Sequence, residues 1–175
     1  MRVMTAHAIG LWKADSCSTA KGVVGVRNKD GVLLDAFRGF LESRKLGVKS
    51  RDVFGFSKTS EVYTCNSALK REFERAFARR ACLSLNERLA YFGGRIDGDG
   101  TVDAKSSHMR IYYSHKEAVE ASEDAEMLRS IGQDAIVKYY NVPTLCIRRP
   151  RNFAKIILRF VRSERKRKEL LEMNK

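Results

Sequence analysis

A glycine and an acid recur at one spacing in two places, and this repeat restricts the chain to folds that use one plan twice. Gly10-Leu11-Trp12-Lys13-Ala14-Asp15 and Gly94-Arg95-Ile96-Asp97-Gly98-Asp99 are 84 residues apart, whether measured between the glycines or between the final acids. The same offset carries the apolar helical positions Leu69, Phe73 and Phe77 onto Phe153, Ile157 and Val161. A period that links a motif to a later helix fixes architecture before any local pattern is read. It divides the 175 residues into halves 1–81 and 82–175, with Ala81 to Leu85 as a short linker.

Each half reads as helix, strand pair, helix, strand pair, helix, a mixed α/β (α+β) chain. In the first half a helix spans roughly Thr5 to Ala14, followed by a β-like stretch from Gly22 to Arg27. Val32, Leu33, Phe37, Phe40 and Leu41 keep a helical period that ends at Leu46-Gly47, a glycine C-cap. Val48 to Phe56 and Glu61 to Cys65 read as strands turning near Lys58-Thr59-Ser60, before a helix from about Asn66 to Arg80. In the second half, Ser84-Leu85-Asn86-Glu87 is a capping box that starts a helix ending near Asp97. A strand at Met109 to Tyr113, a helix from about Lys116 to Ile131-Gly132, and strands at Ala135 to Tyr140 and Thr144 to Ile147 follow. The last helix is expected to pack through Phe153, Ile156, Ile157, Phe160 and Val161.

The glycines in the two opening helices need a reason, because glycine in a helix interior costs about 1 kcal/mol relative to alanine. Close approach of a second backbone supplies one. If the helices pack side by side and parallel through Gly10, Gly93 and Gly94, then Asp15 and Asp99 emerge together at one end. Two carboxylates held together repel each other and invite a divalent cation, and oxygen ligands with open water positions suit Mg²⁺. A metal there could activate water and stabilise the leaving oxygen of a phosphodiester.

Thirty-four Lys and Arg against 21 Asp and Glu leave a net charge of +13, which points to a polyanionic partner, nucleic acid being the usual one. The basic residues run from Lys21 to Lys58 and from Lys105 to Arg149 as well as through the tail Arg162 to Lys168. No apolar run reaches the length of a membrane span, and Met1 to Ala14 lacks the pattern of a signal peptide. The chain is therefore expected to be soluble and intracellular, in the cytoplasm or in an organelle or nucleoid. Cys17, Cys65, Cys82 and Cys146 have neither zinc-knuckle nor redox spacing, so reduced thiols are expected.

Ala90-Tyr91-Phe92-Gly93-Gly94-Arg95-Ile96-Asp97-Gly98-Asp99-Gly100 resembles the LAGLIDADG motif of homing endonucleases, and His7-Ala8-Ile9-Gly10-Leu11-Trp12-Lys13-Ala14-Asp15-Ser16 resembles a weaker copy of it. Through the repeat, the resemblance extends over nearly the whole chain. It implies a pseudo-two-fold monomer in which two antiparallel β-saddles, flanked by helices, sit around a central two-helix interface. The function implied is site-specific cleavage of double-stranded DNA at a long recognition site, with Mg²⁺ or Mn²⁺. Asp15 and Asp99 would bind metal, assisted by the carbonyls of Ala14 and Gly98. Asn28 and Lys29 in one half, Ser114, His115 and Lys116 in the other, and Arg148 with Arg149 would act on water or phosphate. Lys21, Arg27, Lys49, Arg51, Lys105, Arg110, Tyr112, Lys138 and Arg148 would line the saddle that contacts DNA.

Two positions depart from the motif. Ser16 replaces the final glycine of the first copy, and Lys13 stands where its earlier acid would be. Ser16 keeps open a second function on the same fold, a non-cleaving nucleic-acid binder such as an RNA intron maturase or a DNA-binding regulator. For the remaining conspicuous side chains the expectations are structural. His7 packs or caps within its helix, His108 sits on a loop, His115 is a solvated strand end, and Trp12 lies in the core. One tyrosine of each pair, Tyr112-Tyr113 and Tyr139-Tyr140, points inward. The basic tail is read as a solvated helix end.

Overall fold

The computed structural model describes residues 2–18, 20–54 and 58–175. Its first half contains α1 (Val3–Asp15), β1 (Val23–Asn28), α2 (Gly31–Ser43), β2 (Lys49–Val53), β3 (Thr59–Cys65) and α3 (Ser67–Ala78). A 3₁₀ turn at Arg80–Cys82 leads into α4 (Leu85–Asp99), β4 (Gly100–Asp103), β5 (His108–Tyr112) and, after a second 3₁₀ turn at His115–Glu117, α5 (Ala118–Arg129). β6 (Ala135–Tyr139), β7 (Pro143–Ile147), α6 (Pro150–Ile157) and α7 (Glu164–Met173) complete the chain. Both sheets are antiparallel, in the order β1-β3-β2 and β4-β5-β7-β6. The architecture is the expected one, two sheets with flanking helices around α1 and α4. Among the described residues no helix is long and apolar enough to cross a membrane.

Local chemistry explains most of the boundaries. Asp30 caps α2 by accepting from Val32 N, Asn66 caps α3 by accepting from Leu69 N, and the Ser84–Glu87 capping box opens α4. Alternation along each strand sends Val24, Val26 and Val62 from one sheet, and Val102, Met109, Ile111, Leu145 and Ile147 from the other, into a common core. Trp12 belongs to that core and meets Phe73 edge-on, with ring centroids 5.4 Å apart.

Several expectations are corrected. α2 is closed by Lys45 and not by Gly47. Lys45 takes a φ of 56°, its N–H reaches Glu42 O, and Leu46 N reaches Leu41 O. In α5 a glycine does fill this role, Gly132 at φ 80°. β4 was not anticipated, since its four residues follow Asp99 without a break and carry no apolar run. The first sheet has three strands among the described residues; its missing strand is represented by a single bridge, Ser16 to Val26, in the place where Gly100 pairs with Ile111 in the second sheet. Ser16 stands where glycine begins β4, and after Cys17 N bonds Gly25 O the chain leaves the sheet. Phe56, the expected end of a strand, lies outside the described residues.

The C-terminal region differs most. The expected last helix is two helices, α6 and α7, and Ile156 is exposed while Phe153, Ile157, Phe160 and Val161 are buried. α7 is not a solvated end, because Lys166, Leu170 and Met173 are all buried and the helix packs beside β4 and α6.

Candidate active site

α1 and α4 run parallel and touch at main-chain distance. A Cβ on Gly94 would collide with the His7 carbonyl oxygen and lie 2.6 Å from Leu11 N, and one on Gly10 would collide with the Tyr91 carbonyl. Gly93 faces away from α1, toward the Phe160 carbonyl, so its missing side chain admits the turn after α6. At the C-terminal ends of the pair, a Cβ on Gly98 would meet Ala14 Cβ and stand 2.9 Å from Asp15 Oδ2. Asp15 therefore lies directly beside the residue that precedes Asp99.

The two acids differ in their surroundings. Asp15 Oδ2 accepts a 2.7 Å hydrogen bond from Asn28 Nδ2, which ties the end of α1 to the end of β1. Burial raises its pKa, partly opposed by that bond. Among the described residues Asp99 has neither a hydrogen bond nor an ion pair for its carboxylate. Burial is the main reason its pKa rises to about 7, with Asp15 and Glu117 adding to the shift and Arg95 opposing it. No cluster of three His, Cys, Asp or Glu side chains gathers among the described residues. The donors at hand are two carboxylates and the carbonyl oxygens of Ala14 and Gly98, a hard, oxygen-only set that fits a divalent cation with water completing its shell.

Lys166 is a residue that the sequence reading missed. From α7 its Nζ donates to the carbonyls of Ile96 at 2.6 Å, Asp97 at 2.5 Å and Gly98 at 3.1 Å. It closes the C-terminus of α4, where Ile96 O also accepts from Gly100 N, and a cation suits that end of the helix dipole. Burial pulls its pKa below the usual lysine value, against the opposing charge of Asp97. One lone pair of the Gly98 carbonyl is thus already engaged.

Asp97 and Lys13 occupy matching places and make different bonds. Asp97 accepts from His7 Nε2 at 2.8 Å and from the backbone N–H groups of Arg162 and Ser163 at 2.8 and 2.9 Å, stapling α1, α4 and the start of α7 together. His7 therefore bridges the helices instead of capping its own. Lys13 reaches across to Glu120 at 3.0 Å and lies over the Phe77 ring. The two unlike side chains thus each have partners of their own.

Beneath Asp99, Arg95 is fully buried and none of its guanidinium nitrogens has a hydrogen-bond partner among the described residues. It stacks over Tyr113 at 4.4 Å. Burial disfavours its charge, yet Tyr113, Tyr91, Asp124 and Asp99 outweigh this and hold its pKa above the usual arginine value. Asp124 in turn accepts from Tyr91 and Tyr113 hydroxyls at 2.9 and 2.8 Å and from Arg80 Nε at 2.8 Å.

The strand registers show which expected residues stand near the acids. Gly100 pairs with Ile111, so Tyr112, Thr144 and Lys138 form the next row at the Asp99 end of the second sheet. Lys29 directly follows Asn28, and exposed Lys116 lies in the turn just beyond β5. Lys105 lies in the β4–β5 turn and Arg148 beyond β7, both at the opposite end of that sheet. Arg148 therefore lies on the groove surface, with Lys138 and Arg110, and not beside Asp99. Lys21, Arg27, Lys49, Arg51 and Arg110 are on or beside strands, with Arg27, Lys49 and Arg51 on the face of the first sheet away from the core. Tyr113 points inward as expected, whereas Tyr139 and Tyr140 are both exposed.

No protein-family profile matches the sequence, and no curated protein does. Solved structures do. The chain superposes on the homing endonuclease I-DmoI, in a complex with DNA and Ca, at a TM-score of 0.70 with 20% identity over 89% of each chain. It superposes equally well, at 0.70 and 10% identity, on full-length DUF199/WhiA from Thermatoga maritima, covering 99% of this chain and 61% of that one. The N-terminal LAGLIDADG domain of DUF199/WhiA gives 0.66 at 10% identity, over 90% of this chain and 82% of that one. The chain thus has the LAGLIDADG fold.

Proposed function

We propose that this protein is a sequence-specific, divalent-metal-dependent endonuclease that cuts double-stranded DNA as a monomer. The observation that carries the reading is the pair of half-buried carboxylates at the ends of α1 and α4, with Asp99 lacking any hydrogen-bond partner among the described residues. A binding protein has little use for such an unpaired carboxylate beside a polyanion. I-DmoI, of the same fold, has been crystallised with DNA and with Ca or Mn.

Asp15 and Asp99, with the Ala14 and Gly98 carbonyls, would hold Mg²⁺ or Mn²⁺. When bound, such an ion lowers the pKa of water and neutralises charge on the leaving oxygen of the phosphodiester. The protein's own groups do the rest. Asn28 fixes the Asp15 carboxylate, while Lys166 fixes the carbonyls at the end of α4. Lys29, next in sequence to Asn28, and Lys116, in the turn after β5, would hold the phosphates on either strand. The two halves, 1–81 and 82–175, would each lay one sheet along the major groove, with Lys21, Arg27, Lys49 and Arg51 in one half and Lys105, Arg110, Tyr112, Lys138 and Arg148 in the other. Exchange of Asp99 for Asn removes the ligand charge but leaves the saddle intact, so DNA affinity is expected to survive while cleavage disappears. Cleavage at the normal rate would remove Asp99 from the proposed site.

A second reading has its own support. Lys166 already places a cation at the end of α4, Ser16 replaces the motif glycine, and WhiA shares the fold. These features suit a nucleic-acid-binding protein that does not cut, with DNA or intron RNA as partner. Sequence-specific binding without cleavage in Mg²⁺ and Mn²⁺ would favour it.

A further inference from the structure

We infer that Arg27, Glu61 and Arg51 form a guanine-reading unit on the exposed face of the first sheet, with Glu61 as the residue that aims both arginines. The inference rests on the DNA-binding reading above and specifies part of the site that is read.

The register places the three in one row across the sheet, Arg27 opposite Glu61 on one side and Arg51 opposite Glu61 on the other. Val62 and Thr64 of β3 are buried toward the helices, so alternation turns Glu61 to the opposite face. Glu61 Oε1 accepts from Arg27 Nε at 2.7 Å and also from Arg27 Nη2, and Oε2 accepts from Arg51 Nε at 2.6 Å. The carboxylate is covered, 1% exposed, while the arginine side chains remain 45% and 61% exposed. The Arg51 guanidinium is further fixed by the Tyr63 ring at 5.7 Å. Its Nε is engaged, and its two terminal nitrogens have no hydrogen-bond partner among the described residues.

That geometry suits a base edge better than a phosphate. Phosphate attraction depends on unshielded charge, whereas a carboxylate between two arginines leaves one net positive charge and gains direction. Paired donors with a fixed aim match the O6 and N7 acceptors of guanine in the major groove. The row also lies close to the acids, because Arg27 is adjacent to Asn28, which holds Asp15. The guanine should therefore fall in the central part of the site. In the second sheet the matching row, Tyr112, Thr144 and Lys138, contains neither an acid nor an arginine, so the two half-sites should differ.

Selection of bound duplexes from a randomised library, in an Asp99→Asn background that prevents cutting, tests the proposal. The expected result is a guanine at one or two neighbouring central positions. Arg51→Ala, an exposed change that leaves the core untouched, should lower that preference about tenfold or more and leave other positions as they were. Glu61→Gln should weaken the same preference without weakening overall affinity, since net positive charge rises. A guanine preference that survives Arg51→Ala and Arg27→Ala overturns the proposal, as does an equal loss for all sequences, which would mark a phosphate contact. If the background protein itself shows no base preference anywhere, the sequence-specific reading fails and this inference fails with it.

Discussion

Placing a methyl group on Gly94 tests the helix crossing that brings the two acids together. The new Cβ would run into the His7 carbonyl and lie 2.6 Å from Leu11 N, and both are backbone atoms of α1 that cannot rotate aside. The helices must separate, and a gap of about 0.5–1 Å forfeits a quarter to a half of the dispersion attraction at each contact. Overpacking of this kind costs roughly 1–3 kcal/mol, against about 0.5–1 kcal/mol gained from alanine's helix propensity. A net loss near the upper end, about 2 kcal/mol, is expected here because the obstacle is main chain, and it should lower Tm by roughly 4–8 °C. Gly39→Ala is the internal control: this α2 glycine has nothing within 4 Å of the added Cβ, so the same change should stabilise by about 0.5–1 kcal/mol. Gly10→Ala meets the Tyr91 carbonyl across the same crossing, so the double variant should lose less than the sum of the singles, one separation accommodating both methyls. Thermal and urea denaturation of the four variants reads this out. Equal midpoints for Gly94→Ala and Gly39→Ala would refute the close crossing.

Three further outcomes follow from the charges around the acids. Asp99 is raised from 3.8 to about 7, so in metal-free buffer its protonated form favours the fold; stability from this group is full below pH 3.8 and is lost as pH rises through about 7. Asp99→Asn should therefore melt like the parent near pH 4 and above it near pH 8, and a parent more stable at pH 8 would contradict the shift. Lys166→Met should destabilise, because Ile96 O keeps its bond from Gly100 N but the Asp97 and Gly98 carbonyls lose a donor at about 1–3 kcal/mol each, and by removing a nearby positive charge should tighten Mg²⁺ binding measured calorimetrically; weaker binding would count against the placement of Lys166. Arg95→Met removes the cation that the fold holds charged and that partly offsets Asp99, so it should destabilise by about 3–5 kcal/mol in chemical denaturation and push the Asp99 pKa up further; a neutral or stabilising result would contradict this charge balance.

What the sequence made legible was steric. Glycine at Gly10 and Gly94 has a single plausible use in an apolar helix, and the 84-residue offset carried the acids with it, so the central pair and its carboxylates could be placed without coordinates. Strand and helix types followed from periodicity in the same way. What stayed hidden depends on contacts between distant parts of the chain. Lys166 sits in a run of basic residues that looks solvated, and nothing local shows that its ammonium ends on carbonyls 68 to 70 residues earlier. Gly47 was a better cap on propensity than Lys45, but the chain turned two residues sooner. Arg148 was read as a strand end near the acids because its distance from them depends on register, which periodicity alone does not fix. Glu61 went unnoticed for a similar reason: an acid among basic strands acquires its role only when β1 and β2 are known to flank it.

The most direct measurement of the central claim is digestion of a randomised double-stranded DNA library in Mg²⁺, with sequencing of the ends produced, for the parent protein and for Asp15→Asn and Asp99→Asn. Defined ends at one long, asymmetric sequence, dependent on Mg²⁺ or Mn²⁺, are expected from the parent, and none from either variant although both still bind that sequence. A parent protein that binds the duplex and never cuts it, or a variant that cuts at the parent's rate, would contradict it.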